Sequence, residues 1–414
     1  MKKHIIVIGG GPAGMIAAGR AAECGARATL IEKTQSLGNK LLMTGKDRCN
    51  FTNSADMEEF IKKFGKKGSF LYPAFYNFTN ENLRAFFKKF GVSSKEERGG
   101  RVFPESDKSE DIKGALMTYL KKTNAKTMFQ KPIKEIVIKR KSVCSVKTKE
   151  NQVIECDAVI LATGGMSYPN TGSTGDGYKL AQKLGHTIVP PMPALVPLDI
   201  VEKWGADLQG LSLDNVNVVA ESGNKKIADE FGDMLFTHFG VSGPIILAMS
   251  KKIAVALQTG KVFLHIDLKP ALDFEKLDAR LQRDFVKNSN KLYKHAFDEL
   301  LPQSMIPVIL RLSYIDENKP IHSITREERL SLVRLLKDLK VEVARAHDIS
   351  DGIITAGGVA LEEIDNHTMQ SRFIKGLYFA GEVLDLDAPT GGYNLQEAFS
   401  TGWLAGEAAA NEKH

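Results

Sequence analysis

The sequence predicts an α/β fold in which a parallel sheet is assembled from both ends of the chain and interrupted by a β-rich segment and a helical one. Three observations predict it. A strand, a glycine turn, a small-residue helix and a second strand open the chain in "HIIVIGGGPAGMIAAGRAAECGARATLIEK". The apolar runs "AVILATGG" and "GLYFAGEVLD" recur far apart, as buried strands of one sheet do. Between them, short alternating runs give way to helical periodicity.

Composition narrows the class. At 43% hydrophobic and 26% charged, the 414 residues are ordinary for a large globular protein and exclude disorder. No apolar run reaches the length of a membrane span, and a strand starting at His4 leaves no room for a signal peptide, so a cytoplasmic location is expected. Cys24, Cys49, Cys144 and Cys156 form no C-x-x-C pair, which argues against zinc and against a dithiol relay. Nine histidines show no metal spacing, and no metal is expected. The net charge of +6 is compatible with anionic cofactors, an anionic substrate or RNA, and decides nothing alone.

In the opening β-α-β unit Gly9 permits the tight turn, Gly11 lets backbone amides approach a diphosphate, and Gly14 lets helix and strand pack closely. Ala13 belongs to the same helix N-terminus, whose dipole favours phosphate. Glu32 ends the second strand, 18 residues beyond Gly14, where its carboxylate accepts from ribose hydroxyls. Lys33 follows it. A dinucleotide is therefore expected here. The next stretch, "LIEKTQSLGNKLLMTGKDRCNFTN", has the polar character of a loop passing under the flavin end of FAD, with Lys40 and Asn50 as contacts. Cys49 is grouped with them, its alternative being a small buried filler.

From Glu58 to Leu120 the pattern is helical, broken at "RGGRVFPESDKS", read as an ordered loop. There Arg98 and Arg101 either face an anionic ligand or belong to a solvated turn. A β-meander follows in "PIKEIVIKRK", "SVCSVKTKE" and "NQVIECD"; Ile133 at its start is assigned to the cofactor set. The strand from Ala158 ends at Thr163 and Gly164, two further contacts. The expected division is 1–190 for the first part of the dinucleotide domain, 191–271 for a β-rich insertion, 272–340 for a helical subdomain and 341–414 for the return.

On the return, Gly381 and Glu382 stand at the carboxyl end of a buried strand, where such sheets bind ligands. "TGGYNLQEAFSTGWLAGEAAA" then opens a helix behind two glycines. Its N-terminal amides at Gly392, Asn394 and Leu395 are expected to face the pyrimidine edge of the flavin and to stabilise negative charge there. Leu395, Phe399, Gly402 and Gly406 fall on one stripe, suited to packing on the alanines of the first helix. His238, in "FTHFGVSGP", is the acid candidate, with a hydrogen-bonded structural histidine as the alternative reading; Tyr393 is a second donor candidate.

Together "GGGPAG", "GNKLLMTGKDRCNFTN", "GRVFPESDKS", "ILATGGMSYPNTGSTGDGY", "GDMLFTHFGVSGP", "TAGGVALEEID" and "GLYFAGEVLDLDAPTGGYNLQEAFSTG" resemble the BaiN/YhiN-type NAD(P)/FAD-dependent flavoproteins over nearly the whole chain. The resemblance implies a discontinuous two-dinucleotide-binding, Rossmann-like FAD domain with an inserted β-barrel-like domain and a helical subdomain. In such domains a strand ending Ala-Thr-Gly returns beside the first and touches FAD. It further implies reduction of a carbonyl-conjugated C=C, with NAD(P)H as transient electron donor and a 3-oxo-Δ4 bile-acid or steroid-like acid as substrate. The alternatives are a uridine of ribosomal RNA as substrate, giving dihydrouridine, or a non-catalytic flavin redox sensor. One departure is the family's usual "GGGRCN", here "GKDRCN" through Lys46 and Asp47.

Overall fold

The computed structural model describes residues 2–45 and 47–412. Two compact units form, one from residues 1–192 and 353–414, the other from 193–352.

The first unit is built on a seven-stranded sheet in the spatial order Ile364–Asp365, Gln370–Ser371, Leu377–Phe379, Ala158–Leu161, His4–Ile8, Arg27–Ile31 and Lys126–Met128. The last five are mutually parallel, with Ile5 opposite Ala158 and Val159 opposite Leu377. His4–Ile8 and Ala158–Leu161 are buried at every position, which is why both read as unbroken apolar runs. The chain ends meet here because the strand from residue 377 pairs with the one from residue 158, not with a sequence neighbour.

Helix Pro12–Glu23 follows the first strand, and the terminal helix Tyr393–Asn411 packs along it. Small residues set the approach: a Cβ on Gly402 would stand 2.4 Å from the Ala13 carbonyl oxygen, and one on Gly406 2.4 Å from that of Ala17. Phe399 does not share this seam. Its ring meets Phe87 edge-on at 5.6 Å, so the expected single stripe is divided between two neighbours.

The segment "RGGRVFPESDKS" is more regular than the loop expected of it. Ser94–Glu97 and Arg101–Pro104 pair as a hairpin turned by Gly99 and Gly100, both left-handed with φ of +78° and +72°. Thr52–Asn53 adds a third strand. Long-range pairing with residues 52–53 made a strand where local composition reads as a turn. Strands Ile133–Lys139, Ser142–Thr148 and Val153–Glu155 form an antiparallel meander.

The second unit holds a closed six-stranded antiparallel barrel, whose wall runs Leu198–Ile200, Gly240–Ser242, Lys225–Phe236, Ser212–Ser222, Val262–Asp267 and Leu339–Ala346. Helices Phe274–Lys287, Ile306–Ser313 and Arg326–Lys337 precede the last strand. Two start on side-chain caps: Asp273 accepts from the Lys276 amide, and Thr325 with Glu328 forms a reciprocal capping box. Leu277, Ile309 and Leu332 of these helices belong to one buried cluster with Val218 and Leu264 of the barrel, so the helices complete the barrel's core. Among the described residues no helix is long and apolar enough to cross a membrane.

Candidate cofactor site

At the carboxyl edge of the first unit's sheet, Gly9 takes a φ of +109°, and a Cβ there would lie 2.4 Å from the Ala162 carbonyl oxygen. Gly14 packs tighter still, with its Cβ position 1.8 Å from the Gly9 carbonyl oxygen. Gly11 is different. Its φ of −78° suits any residue, and a Cβ there meets nothing within 4 Å. It caps helix Pro12–Glu23, which has no side-chain cap, so the first-turn amides around Ala13 and Gly14 point into that open space.

Glu32 closes the turn from the other side. It is 9% exposed, and its two oxygens accept from the Gly10 and Thr34 amides, each at 2.7 Å. The segment leading to Ile133 is stitched to the same turn, since Gln130 N–H donates to the Thr34 carbonyl and Lys131 N–H to that of Glu32, both at 3.1 Å. Ile133 itself is buried at the start of the meander. Lys33 does not extend freely: its amine pairs with Asp176 at 2.6 Å and also reaches Thr174.

The return strand brings a second set of groups. Lys40 Nζ lies 2.6 Å from Glu382 Oε2 and 2.7 Å from Ser167 Oγ, tying the N-terminal loop to the C-terminal turn. Glu382 Oε1 accepts from the Thr355 amide at 2.8 Å, and the Thr355 hydroxyl accepts from Met166 N–H at 2.8 Å and Ser167 N–H at 3.1 Å. Gly164 is left-handed, with φ of +72°, and the neighbouring Thr163 hydroxyl oxygen is buried with no hydrogen-bond partner in the protein. Gly381, also left-handed at +74°, has no room for a side chain beside Ala13 Cβ, 2.8 Å from its own Cβ position.

Around the terminal helix, the Asn53 side-chain amide donates to the Gly99 and Gly391 carbonyls at 3.0 Å each. It thereby locks the hairpin tip beside the two glycines that precede the helix. Gly392 is left-handed and sits against the Thr52 carbonyl, where a Cβ would approach within 2.2 Å. Asn394 clips the preceding loop by exchanging hydrogen bonds with Ala388, each at 2.8 Å, while Leu395 is half-buried. Tyr393 packs edge-on against Phe60 at 4.9 Å, and burial raises its phenol pKa, so it stays protonated. Asn50 is occupied structurally, donating to Thr52 and Val102 carbonyls. Cys49 is fully buried and left-handed; burial pushes its thiol up to about 12, which leaves no thiolate for redox chemistry. Lys46 lies outside the described residues, and Asp47 beside it is left-handed at φ +64°.

His238 belongs to the other unit. It is exposed at the turn between strands Lys225–Phe236 and Gly240–Ser242, its ring 4.8 Å from Phe239. Sequence reasoning overlooked Thr355, Ser167, Asn53 and Glu397. The last had a readable signal, being the sole Asp, Glu, Lys or Arg between Asp387 and Glu407.

These features fit a dinucleotide. The uncapped helix N-terminus with open space at Gly11 suits a diphosphate, and Glu32 suits a ribose. The HI0933-like protein Rossmann domain matches residues 3–408. The chain belongs to the HI0933-like family. One relative of this HI0933-like chain is the 3-dehydro-bile acid delta(4,6)-reductase of Clostridium scindens, 32% identical over 410 residues, 98% of this chain and 99% of that protein. Another is the ribosomal RNA dihydrouridine synthase of Escherichia coli, 29% identical over 97% of this chain and 96% of that one. Among solved structures, the 3-ketosteroid-delta4-(5alpha)-dehydrogenase of Rhodococcus jostii aligns with a TM-score of 0.54 at 14% identity, covering 99% of this chain and 97% of that one. At that identity the match shows the fold alone, a Rossmann-type FAD-binding fold.

Proposed function

We propose that this HI0933-like chain is an FAD-dependent reductase of a carbonyl-conjugated C=C, drawing electrons from NAD(P)H and acting on a 3-oxo-Δ4 or Δ4,6 bile-acid or steroid-like acid. The observation that carries the cofactor is the open, uncapped helix N-terminus at Gly11, closed on one side by Glu32. The substrate class rests on the full-length relationship to the bile-acid reductase.

FAD, when bound there, would supply the hydride that reduces the β-carbon of the enone. The protein's part is position and charge. Gly9, Gly11, Ala13 and Gly14 admit the diphosphate against backbone amides, Glu32 takes a ribose, and Thr163, Gly164 and Gly381 leave room for the connecting chain. The amides at the start of the terminal helix, from Gly392 to Leu395, would offset negative charge developing on the reduced cofactor. Lys40 and Glu382 neutralise one another, tying the N-terminal loop to the turn after strand Leu377–Phe379. His238 is the side chain we assign to the proton delivered to the α-carbon.

A second reading has a specific observation behind it: two relatives, at 29% and 28% identity, are ribosomal RNA dihydrouridine synthases, whose uracil is also a carbonyl-conjugated alkene. One experiment separates the two. The anaerobically reduced, flavin-loaded protein is mixed with a 3-oxo-Δ4 bile acid or with ribosomal RNA, and flavin reoxidation is followed by absorbance at two salt concentrations. Reoxidation by the bile acid, weakly dependent on salt, is expected, because burial of the apolar ring system carries affinity at about 25 cal/mol per Å². Reoxidation by RNA alone, falling steeply with a slope near about −0.7 per phosphate contact, overturns the substrate assignment.

A further inference from the structure

Glu397 is the one charged side chain in the first half of the terminal helix, and it is buried at 3% exposure. Its carboxyl faces Thr401, one turn on, whose Oγ1 lies 3.4 Å from Glu397 Oε1 and 2.7 Å from the Glu397 backbone carbonyl oxygen. The same Oγ1 accepts from the Gly381 amide at 2.9 Å. A hydroxyl has one proton and two lone pairs. The short contact to the carbonyl, which can only accept, takes that proton, and the Gly381 N–H takes one lone pair. The remaining lone pair faces Glu397, and a carboxylate there would set oxygen against oxygen with no proton between them. A neutral carboxylic acid completes the set by donating to Thr401.

The surroundings agree. On helix Pro12–Glu23 the residues against this seam are Ala13, Ile16 and Ala17, and Arg20 further along is committed to Glu407 and Glu23. Helix Asn80–Lys89 carries Glu81, Arg84, Lys88 and Lys89, helix Tyr72–Asn77 carries Tyr72 and Tyr76, and strand Thr52–Asn53 carries no charge. Past the end of strand Leu377–Phe379 stands Glu382, paired with Lys40, and among the described residues it is the charged group that acts on Glu397. Burial first, then repulsion from Glu382, pushes the Glu397 carboxyl up to about 8.

We propose that Glu397 is a positioning residue that works only as the neutral acid: through Thr401 it fixes the Gly381 amide at the left-handed turn that borders the flavin's ribityl-diphosphate chain, so that proton and cofactor bind together. This rests on the FAD reading above.

The test strips the full-length protein of flavin and titrates FAD back by fluorescence from about pH 6.5 to 9.5. The wild-type Kd is expected to stay flat at low pH and then rise above about pH 8, by up to about ten-fold per pH unit. Glu397→Gln keeps a donor for Thr401 that cannot ionise, so its Kd lacks this rise; ionisation of FAD itself is common to both proteins and cancels. Thr401→Val, which severs the link without adding volume, binds FAD more weakly at every pH and also loses the rise. Parallel pH profiles for wild type and Glu397→Gln overturn the inference. If no FAD binds at any pH, the cofactor reading fails, and infrared spectra of the flavin-free protein decide the protonation of Glu397 separately. A protonated-carboxyl stretch at about pH 7, missing from Glu397→Gln, is then expected, and its absence from the wild type sinks the assignment.

Discussion

Glu32→Ala tests the cofactor site at a buried carboxylate. The substitution removes the acceptor of two amides, Gly10 N–H and Thr34 N–H, each 2.7 Å from a carboxylate oxygen in a side chain only 9% exposed. Hydrogen bonds to charged groups contribute about 1.5–3 kcal/mol each, so up to about 3–6 kcal/mol of folding stability is at stake, less what entering water restores. Loss of a ribose contact removes a further ~1.5–3 kcal/mol from cofactor binding alone, a Kd about 10–150-fold higher. Urea unfolding of the flavin-free protein measures the first quantity and FAD titration the second. Glu32→Gln separates them further, because its amide oxygen still serves one of the two N–H groups while its NH2 opposes the other. Wild-type FAD affinity in Glu32→Ala would refute the assignment of this carboxylate to the ribose.

Gly11→Ala is expected to leave stability within about 0.5 kcal/mol, since its φ is ordinary and its Cβ meets no atom, yet to raise the FAD Kd at least about ten-fold by filling the diphosphate space. Calorimetry and FAD titration on the same variant check both halves; a destabilised protein contradicts the open cradle. Gly402→Ala drives a methyl toward the Ala13 carbonyl oxygen and is expected to cost about 1–3 kcal/mol, read as a lowered denaturation midpoint. Glu397 makes stability depend on pH. Its folded pKa, about 8, lies above the unfolded value of 4.5, so the stability associated with its proton is fully present below about 4.5 and is lost as pH rises through about 8. The stability of Glu397→Gln relative to wild type should therefore grow between those limits, to at most on the order of 5 kcal/mol, and level off above; a difference constant with pH contradicts a neutral Glu397.

How far the site was legible depends on how local its geometry is. Gly9, Gly11, Gly14 and Glu32 fall within one β-α-β unit, where spacing along the chain dictates spacing in the fold. Their arrangement was readable in the sequence, and the open space at Gly11 agrees with it. The partner of Lys40 was not legible, because Glu382 lies 342 residues away and is delivered by a different strand. Asn50 and Cys49 carried the polarity expected of a binding loop, yet the Asn50 amide holds backbone carbonyls and the Cys49 thiol is sealed inside. Composition cannot distinguish a donor that meets a ligand from one that meets the chain. The loop at "RGGRVFPESDKS" became a strand pair for the same reason, since residues 52–53 supplied its remaining hydrogen bonds.

By itself the sequence determined the α/β class, the dinucleotide turn, the β-rich and helical insertion, and the small-residue seam at Gly402 and Gly406. Each of these is set by periodicities of two or 3.6 residues, or by the steric freedom of glycine, which act over a few residues. Only the tertiary structure decided that the barrel and the helices share one core, that Asn53 joins the hairpin tip to the terminal helix, and that Glu397 is buried over Thr401 and Gly381. Burial and the partners of a polar group are properties of the assembled surfaces. A carboxyl's desolvation is therefore settled by residues hundreds of positions away, which no local pattern encodes.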